Sequence, residues 1–270
     1  MDCEICGGAA HFDFAKRFDS FGLTEVEYWR CESCGFVLSR THAEMSAPDW
    51  VRMNALCHAA YQGTEDNPLD PRWKSRLAAQ AGFIAASASG GLIDPAGRWL
   101  DFGCGDGSLS ELLSSTHGLH LGKYDSYMAG DEGYLDAAAL QPGGFDFVIT
   151  TSVFEHLTRR DQWDRIEALV SPHGAFAVHT LVAERVPSDP DWFYLQPPHC
   201  AFFSNAAMAR LFDDWGYRCS IYSVEASLWV WFRSDPDEVL EKLQPLNHAG
   251  LGPVVFKPGF ADYWKSDPRR

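Results

Sequence analysis

Two pairs of cysteines near the N-terminus, Cys3-x-x-Cys6 and Cys31-x-x-Cys34, have the spacing of a tetrahedral metal–thiolate site, and a glycine follows each pair, Gly7 and Gly35. The glycines permit the tight knuckle that turns two sulfurs toward one point. Four thiolates close the shell of a zinc ion and leave no position open, so the expected metal is a structural zinc. The other cysteines (Cys57, Cys104, Cys200 and Cys219) are scattered, and no apolar stretch of a secretory signal follows Met1. That combination favours metal binding over a disulfide framework. A redox Cys-x-x-Cys, an accidental cluster and an iron–sulfur centre are the competing readings.

The second candidate is Asp101-Phe102-Gly103-Cys104-Gly105-Asp106-Gly107, which lies between a short apolar run, Trp99 to Phe102, and a helical pattern from Leu109 to Ser114. Glycines at such a junction let the backbone turn sharply and let a ligand approach the main chain; a nucleotide-like ligand then lies over the carboxyl ends of the strands. A glycine triplet alone is shared with dinucleotide-binding folds. Here Asp101 stands two residues before the first glycine, and the next strand candidate ends in Tyr124-Asp125, whose carboxylate is placed to accept hydrogen bonds from ribose hydroxyls. Only ten residues separate Asp125 from Asp136, which shortens or removes the helix usual after a second strand and weakens Asp136 as an adenine contact. Thr151, at the end of the third strand candidate, completes the set of expected ligand contacts with Asp101, Gly103, Cys104, Gly105, Gly107 and Asp125.

The elements that must position these residues follow from periodicity. Alternation over Glu25 to Arg30 suits a short strand. Ser46-Ala47-Pro48-Asp49 starts a helix, Asn67-Pro68 breaks it, and Trp73 to Ala88 is a second helix ending near Gly90-Gly91. From Arg98 strands and helices alternate: strands at Trp99–Phe102, Leu119–Tyr124, Phe145–Thr150 and Gly174–Thr180, and helices at Leu109–Ser114, Asp161–Val170 and Ser204–Asp214, the last with a serine N-cap. Tyr217–Val224 and Ser227–Phe232 read as a closing hairpin. The expected fold is α/β, a Rossmann-like, mainly parallel sheet with a closing β-hairpin, preceded by a small zinc ribbon-like module. The expected division is a zinc-binding module over residues 1–45, a helical linker or cap over 46–92, a cofactor-binding domain over 93–233 and a tail over 234–270 that drapes over the domain or is partly mobile. In the linker, Trp73 reads as helix packing, and Tyr61 divides evenly between packing and capping the ligand.

The Asp-x-Gly-x-Gly-x-Gly turn, the carboxylate of Asp125 and the run Phe145 to Leu157 together resemble the class I S-adenosylmethionine-dependent methyltransferases, over roughly residues 95–232. The resemblance implies that Asp101, Gly103 and Gly105 hold the methionine end of the cofactor and Asp125 its ribose. The donor is already activated, so the protein mostly aligns it with an acceptor, and a base is needed only if the acceptor must lose a proton. Histidine is the natural base near pH 7. Of the ten histidines, His156 and His199 stand out. His156 follows the third strand beside Glu155, and His199 lies in the aromatic loop Trp192 to Ser204, which follows the strand Gly174–Thr180. With the N-terminal cysteines, a histidine followed by an aromatic pair and serine is similar to sugar C-methyltransferases acting on nucleotide-linked keto-sugars. That similarity implies His199 as the base. The chain departs from the pattern at Pro198, where that family has a glutamate, and at Gln196, where it has a catalytic tyrosine. Glu155 is expected to orient a neighbour or to act directly, and His179 to be a satisfied core residue.

Composition bounds the partners. Lys and Arg total 22 against 37 Asp and Glu, a net charge of -15. Binding to nucleic acid draws mainly on cationic contacts, and residues 1–40 hold seven acidic residues against Lys16, Arg17, Arg30 and Arg40. A small-molecule acceptor (a sugar, glycan or secondary metabolite) is therefore expected ahead of RNA, and an inactive cofactor-binding partner protein is the third reading. No run approaches the roughly 18–20 apolar residues of a membrane span, and a cytoplasmic location is expected.

Overall fold

The computed structural model describes residues 1–61, 70, 72–128, 130–244, 246 and 250–262. The expected break at Asn67-Pro68 and the side chain of Tyr61 lie outside the described residues. In chain order the elements begin with β1 (Ala10–Arg17), β2 (Glu25–Cys31), β3 (Val37–Ser39), α1 (Arg40–Ala43), α2 (Ala47–Tyr61) and α3 (Trp73–Ser89). They continue with β4 (Trp99–Phe102), α4 (Ser108–His117), β5 (Gly122–Tyr124), β6 (Phe145–Thr151), α5 (Arg160–Glu167) and β7 (Val170–His179). The last are β8 (Val182–Ala183), β9 (Ala201–Ser204), α6 (Asn205–Asp214), β10 (Cys219–Ser223), β11 (Leu228–Phe232), α7 (Pro236–Leu243) and β12 (Val254–Pro258). No helix among the described residues is long and apolar enough to cross a membrane. The chain forms two compact units, both discontinuous in sequence.

The first unit comprises Met1–Leu69, Val153–Trp163 and Leu181–Leu211. Its sheet runs β1-β2-β3-β9-β8. Antiparallel pairing links β1 to β2, β2 to β3 and β3 to β9, where Val37 faces Phe202; β8 and β9 are parallel. Alternation in β2 puts Val26 and Tyr28 on one face, where they are fully buried. They pack with Phe14, Val37, Met53, Leu195 and Phe202, and Phe14 stacks on Tyr28 with ring centroids 4.9 Å apart. The cysteine-bearing N-terminus is thus not a separate ribbon: its third strand is completed by residues some 160 positions further along. The boundaries expected at residues 45 and 92 do not mark the edges of this unit.

The second unit comprises Asp70–Ser152, Asp164–Thr180 and Phe212–Arg270, with sheet order β12-β10-β11-β7-β6-β4-β5. The β5–β4, β4–β6 and β6–β7 junctions are parallel, whereas β7–β11, β11–β10 and β10–β12 are antiparallel. The sheet is therefore mixed, not mainly parallel. The expected hairpin accounts for part of the difference, since strands joined by so short a turn as Val224–Ser227 must run antiparallel. The tail accounts for the rest. Instead of draping over the domain, it forms α7, with Pro236 at the first turn and the Asp235 carboxylate accepting the Asp237 N–H, and then adds β12 to the edge of β10.

The parallel strands are buried on both faces: Phe147, Val148 and Ile149 of β6 have no exposed surface. α3 lays Ala81, Phe83, Ile84 and Ala88 into this core beside Trp99, Leu113 and Val230. Among the described residues between β5 and β6 there is no α-helix, only a short 3-10 turn at Ala137–Ala139, which agrees with the ten-residue spacing read from the sequence. Phe83→Ala should destabilise the protein by about 3–5 kcal/mol. Phe12→Ala, at a side chain 56% exposed on β1, should change stability by less than about 0.5 kcal/mol. Urea unfolding of the two variants checks the contrast.

Candidate functional site

In the second unit, β4 delivers the chain into the glycine turn. Gly103, Gly105 and Gly107 all take left-handed backbone angles, φ 71°, 55° and 79°. Side-chain-bearing residues adopt this region only at a cost of about 1–2 kcal/mol each. Two consecutive amides, those of Gly103 and Cys104, donate to the Tyr124 carbonyl at 2.7 and 3.1 Å and tie the turn to the end of β5. The Gly105 N–H donates to Asp125 Oδ2 at 2.9 Å, and the Tyr127 N–H to Asp125 Oδ1 at 2.8 Å. The Tyr134 hydroxyl donates to the Gly105 carbonyl at 2.9 Å. A methyl group built on Gly105 would meet no protein atom within 4 Å, whereas one on Gly107 would come within 2.7 Å of Lys123 Cδ. Room for a ligand is therefore at Gly105, while Gly107 is needed for the turn and for packing.

Asp101 is fully buried. Its Oδ2 accepts the Ser110 hydroxyl at 3.1 Å, and its Oδ1 has no hydrogen-bond partner among the described residues. Burial pushes its carboxyl up to about 7; the Ser110 hydroxyl opposes the shift, and the charges of Asp125 and Asp106 add to it. Burial, with Asp101 and Asp125 nearby, likewise pushes the Cys104 thiol up to about 12, so it is a neutral lining group and not a nucleophile. Thr151 ends β6 in register with His179 of β7. His179 is half-buried and its Nδ1 faces the Ser227 carbonyl at 2.7 Å. Asp136 is exposed at the start of the 3-10 turn, and Trp73 is half-buried at the start of α3.

In the first unit the four cysteines converge as two matching knuckles. Gly7 N–H donates to the Cys3 carbonyl at 2.9 Å and Gly35 N–H to the Cys31 carbonyl at 3.0 Å, with both glycines left-handed at φ 71° and 70°. The Ser204 hydroxyl donates to the Cys34 carbonyl and anchors the second knuckle on β9. Cys3 and Cys34 Sγ are 3.6 Å apart, Cys6 and Cys31 Sγ 3.4 Å, and all four sulfurs lie within 4.8 Å of one another. These separations are far too long for disulfides, whose sulfurs lie about 2.05 Å apart. They approach the sulfur–sulfur edge of about 3.8 Å that zinc–thiolate bonds of about 2.3 Å require of a tetrahedron. The donor set and its geometry fit zinc.

The first unit also brings together Glu155, His156 and His199. One ligand-competent atom from each lies within 4.8 Å of the other two. Glu155 and His199 are buried and His156 is half-buried, with the two imidazole rings 5.0 Å apart. His156 Nδ1 faces the Pro198 carbonyl at 3.0 Å, and His199 Nδ1 the Tyr194 carbonyl at 2.8 Å. A carbonyl only accepts, so in both rings Nδ1 carries a proton. The Tyr194 hydroxyl donates to Glu155 Oε1 at 2.6 Å. Burial would raise the Glu155 pKa, but His156, His199 and that hydroxyl outweigh it and hold the carboxyl below its ordinary value. Burial lowers the pKa of His199, against the charge of Glu155, and favours the neutral ring. The cluster therefore sets a carboxylate beside two imidazoles.

Tyr194 is the residue that sequence reading missed. It lies five residues before His199 in the aromatic loop, and its ring sits 4.5 Å from that of His199. The signal for it in the sequence was its place in the aromatic loop that carries His199.

The sequence profile of the methyltransferase-domain family matches residues 72–220. No curated protein matches the chain in sequence. Among solved structures, the chain is similar to a possible histamine N-methyltransferase from Thermotoga maritima (15% identity, covering 60% of this chain and 94% of that one, TM-score 0.38). It is also similar to magnesium protoporphyrin IX methyltransferase from Synechocystis PCC 6803 (16% identity, 66% and 93% covered, TM-score 0.43). A third similar structure is a methyltransferase from Archaeoglobus fulgidus (14% identity, 76% and 99% covered, TM-score 0.39). Because the profile spans more than half of its length, the chain belongs to the methyltransferase-domain family and is an S-adenosylmethionine-dependent methyltransferase.

Proposed function

We propose that the chain methylates a small molecule, a sugar, glycan or secondary metabolite, with Asp101, Gly103, Cys104, Gly105, Gly107, Asp125 and Thr151 holding the cofactor. The observation that carries this reading is the glycine turn, with open space at Gly105 and a partnerless carboxylate oxygen on Asp101. A buried acceptor oxygen without a donor suits a cationic ligand. Asp125, held by two backbone amides, keeps further lone pairs for ribose hydroxyls. S-adenosylmethionine supplies a methyl group already activated on a sulfonium. The acceptor must lose a proton as it is methylated, and side chains of this protein would take it.

His199, His156 and Glu155 are the acceptor-activating residues in this proposal. Three residues of chain separate Glu155 from Thr151, the last residue of β6. The exposed ring of Phe193, 67% accessible, and its neighbours Trp192 and Tyr194 offer an aromatic face suited to a ring-shaped acceptor. The net charge of -15 disfavours an RNA acceptor. Cys3, Cys6, Cys31 and Cys34 hold a structural zinc that stabilises the N-terminal part of the first unit.

Thermal shift with S-adenosylmethionine or its demethylated product tests the cofactor site. The wild type should be stabilised by either compound, and no shift with either defeats the assignment. Gly105→Ala, which meets no protein atom, should cost about 1–2 kcal/mol of backbone strain and abolish the ligand-induced shift.

Asp101 sets a pH dependence. Its pKa is raised on folding, so the folded chain binds this proton more tightly than the unfolded chain, and the cofactor-free fold loses stability as pH rises from about 4 toward about 7. The cationic cofactor favours the ionised form, so its affinity should fall as pH drops below about 7. Asp101→Asn should raise the melting temperature of the cofactor-free protein at pH 8 and weaken cofactor binding by about tenfold or more. Scanning calorimetry at pH 8 reads the melting temperature, and calorimetric titration between pH 6 and 8 the affinity.

Metal analysis of the purified protein should find zinc bound to the four cysteines. Cys6→Ser should lower the zinc content and the melting temperature together. A zinc-free protein of unchanged stability would count against the structural role.

A further inference from the structure

We propose that Glu155, His156 and His199 form a second metal site, one that takes a divalent first-row transition ion such as zinc, manganese, iron or cobalt. The argument starts from the ligand atoms: a carboxylate oxygen and one nitrogen from each of two imidazoles lie within 4.8 Å of one another. Zinc–ligand bonds of about 2.1 Å set ligand atoms about 3.4 Å apart in a tetrahedron, so the side chains would have to close by up to about 1.4 Å.

The surrounding hydrogen bonds match what a metal centre requires. Ligating histidines commonly donate their other ring N–H to a carbonyl or carboxylate, which fixes the tautomer and the ring orientation. Both histidines do so here, His156 to the Pro198 carbonyl at 3.0 Å and His199 to the Tyr194 carbonyl at 2.8 Å. The carboxylate is also supported from outside, by the Tyr194 hydroxyl at 2.6 Å. One residue, Tyr194, therefore orients two of the three ligands.

Ligand chemistry selects the class of ion. Calcium and magnesium favour all-oxygen shells, whereas two imidazoles and a carboxylate suit the transition ions. Three protein ligands leave coordination positions for water or for an oxygen of the acceptor, as in catalytic sites and unlike the closed four-cysteine site. An acceptor hydroxyl on such an ion would lose its proton more readily. That role rests on the methyl-transfer reading; the presence of the site does not.

The test is titration of the full-length purified protein with cobalt(II), read by visible absorption and proton NMR. One cobalt should bind per chain beyond any exchanged into the four-cysteine site. Two exchangeable, hyperfine-shifted N–H resonances should appear, from Nδ1–H of His156 and of His199; a four-thiolate site contains no imidazole and cannot produce them. His199→Ala should remove one resonance and weaken cobalt binding about tenfold or more, while Tyr194→Phe, which leaves every ligand in place, should keep both resonances. No shifted N–H resonance in excess cobalt, or unchanged affinity in His199→Ala, overturns the proposal. Thermal shift with S-adenosylmethionine on the same samples separates the two ideas. A cofactor response without cobalt binding defeats the metal site alone, and cobalt binding without a cofactor response defeats only the methyl-transfer reading.

Discussion

Two carboxylates, Asp101 and Asp125, are buried at the carboxyl ends of neighbouring parallel strands, and there the main chain must replace the water they have lost. For Asp125 it does so with two amide donors, one of them from the glycine turn itself. The turn can aim that amide only because Gly105 sits in left-handed backbone, and its position is fixed because Gly103 and Cys104 share the Tyr124 carbonyl. Asp101 is served less well, with a single hydroxyl donor. A positively charged ligand beside these carboxylates would turn their mutual repulsion into attraction. The sheet, α3 and the mixed-direction strands serve to hold this arrangement still.

Much of the second unit was legible in the residues. β4, β6 and α3 are long or strongly apolar, and the glycine turn between β4 and α4 has a spacing with few alternatives. The missing helix after β5 followed from a simple count of residues. Sheet direction was harder to read because it depends on pairing partners, and periodicity does not state them. Val254 to Phe256 is too short a run to announce β12, and only the open edge of β10 makes it a strand.

The first unit was less legible for a related reason. Its sheet joins segments from opposite parts of the chain, and β3 and β9 are too short to predict a pairing between them. The cysteines declared themselves through spacing. The histidine–glutamate cluster did so only in part, because Tyr194 acts through its carbonyl and its hydroxyl at once, and a backbone carbonyl leaves no trace in residue type.

The pairing of Val37 with Phe202 spans 165 residues. During synthesis the N-terminal strands leave the ribosome well before β9 exists to receive them, and long-range pairing of this kind is slow to form. Through that interval β3 is an unprotected edge, open to pairing with another nascent chain. An ion captured early by the two cysteine knuckles would lock β2 and β3 into register before their partner arrives. On this view the metal would matter most to the order of assembly, and zinc-starved cells would accumulate aggregated chains before they lost activity in molecules already folded.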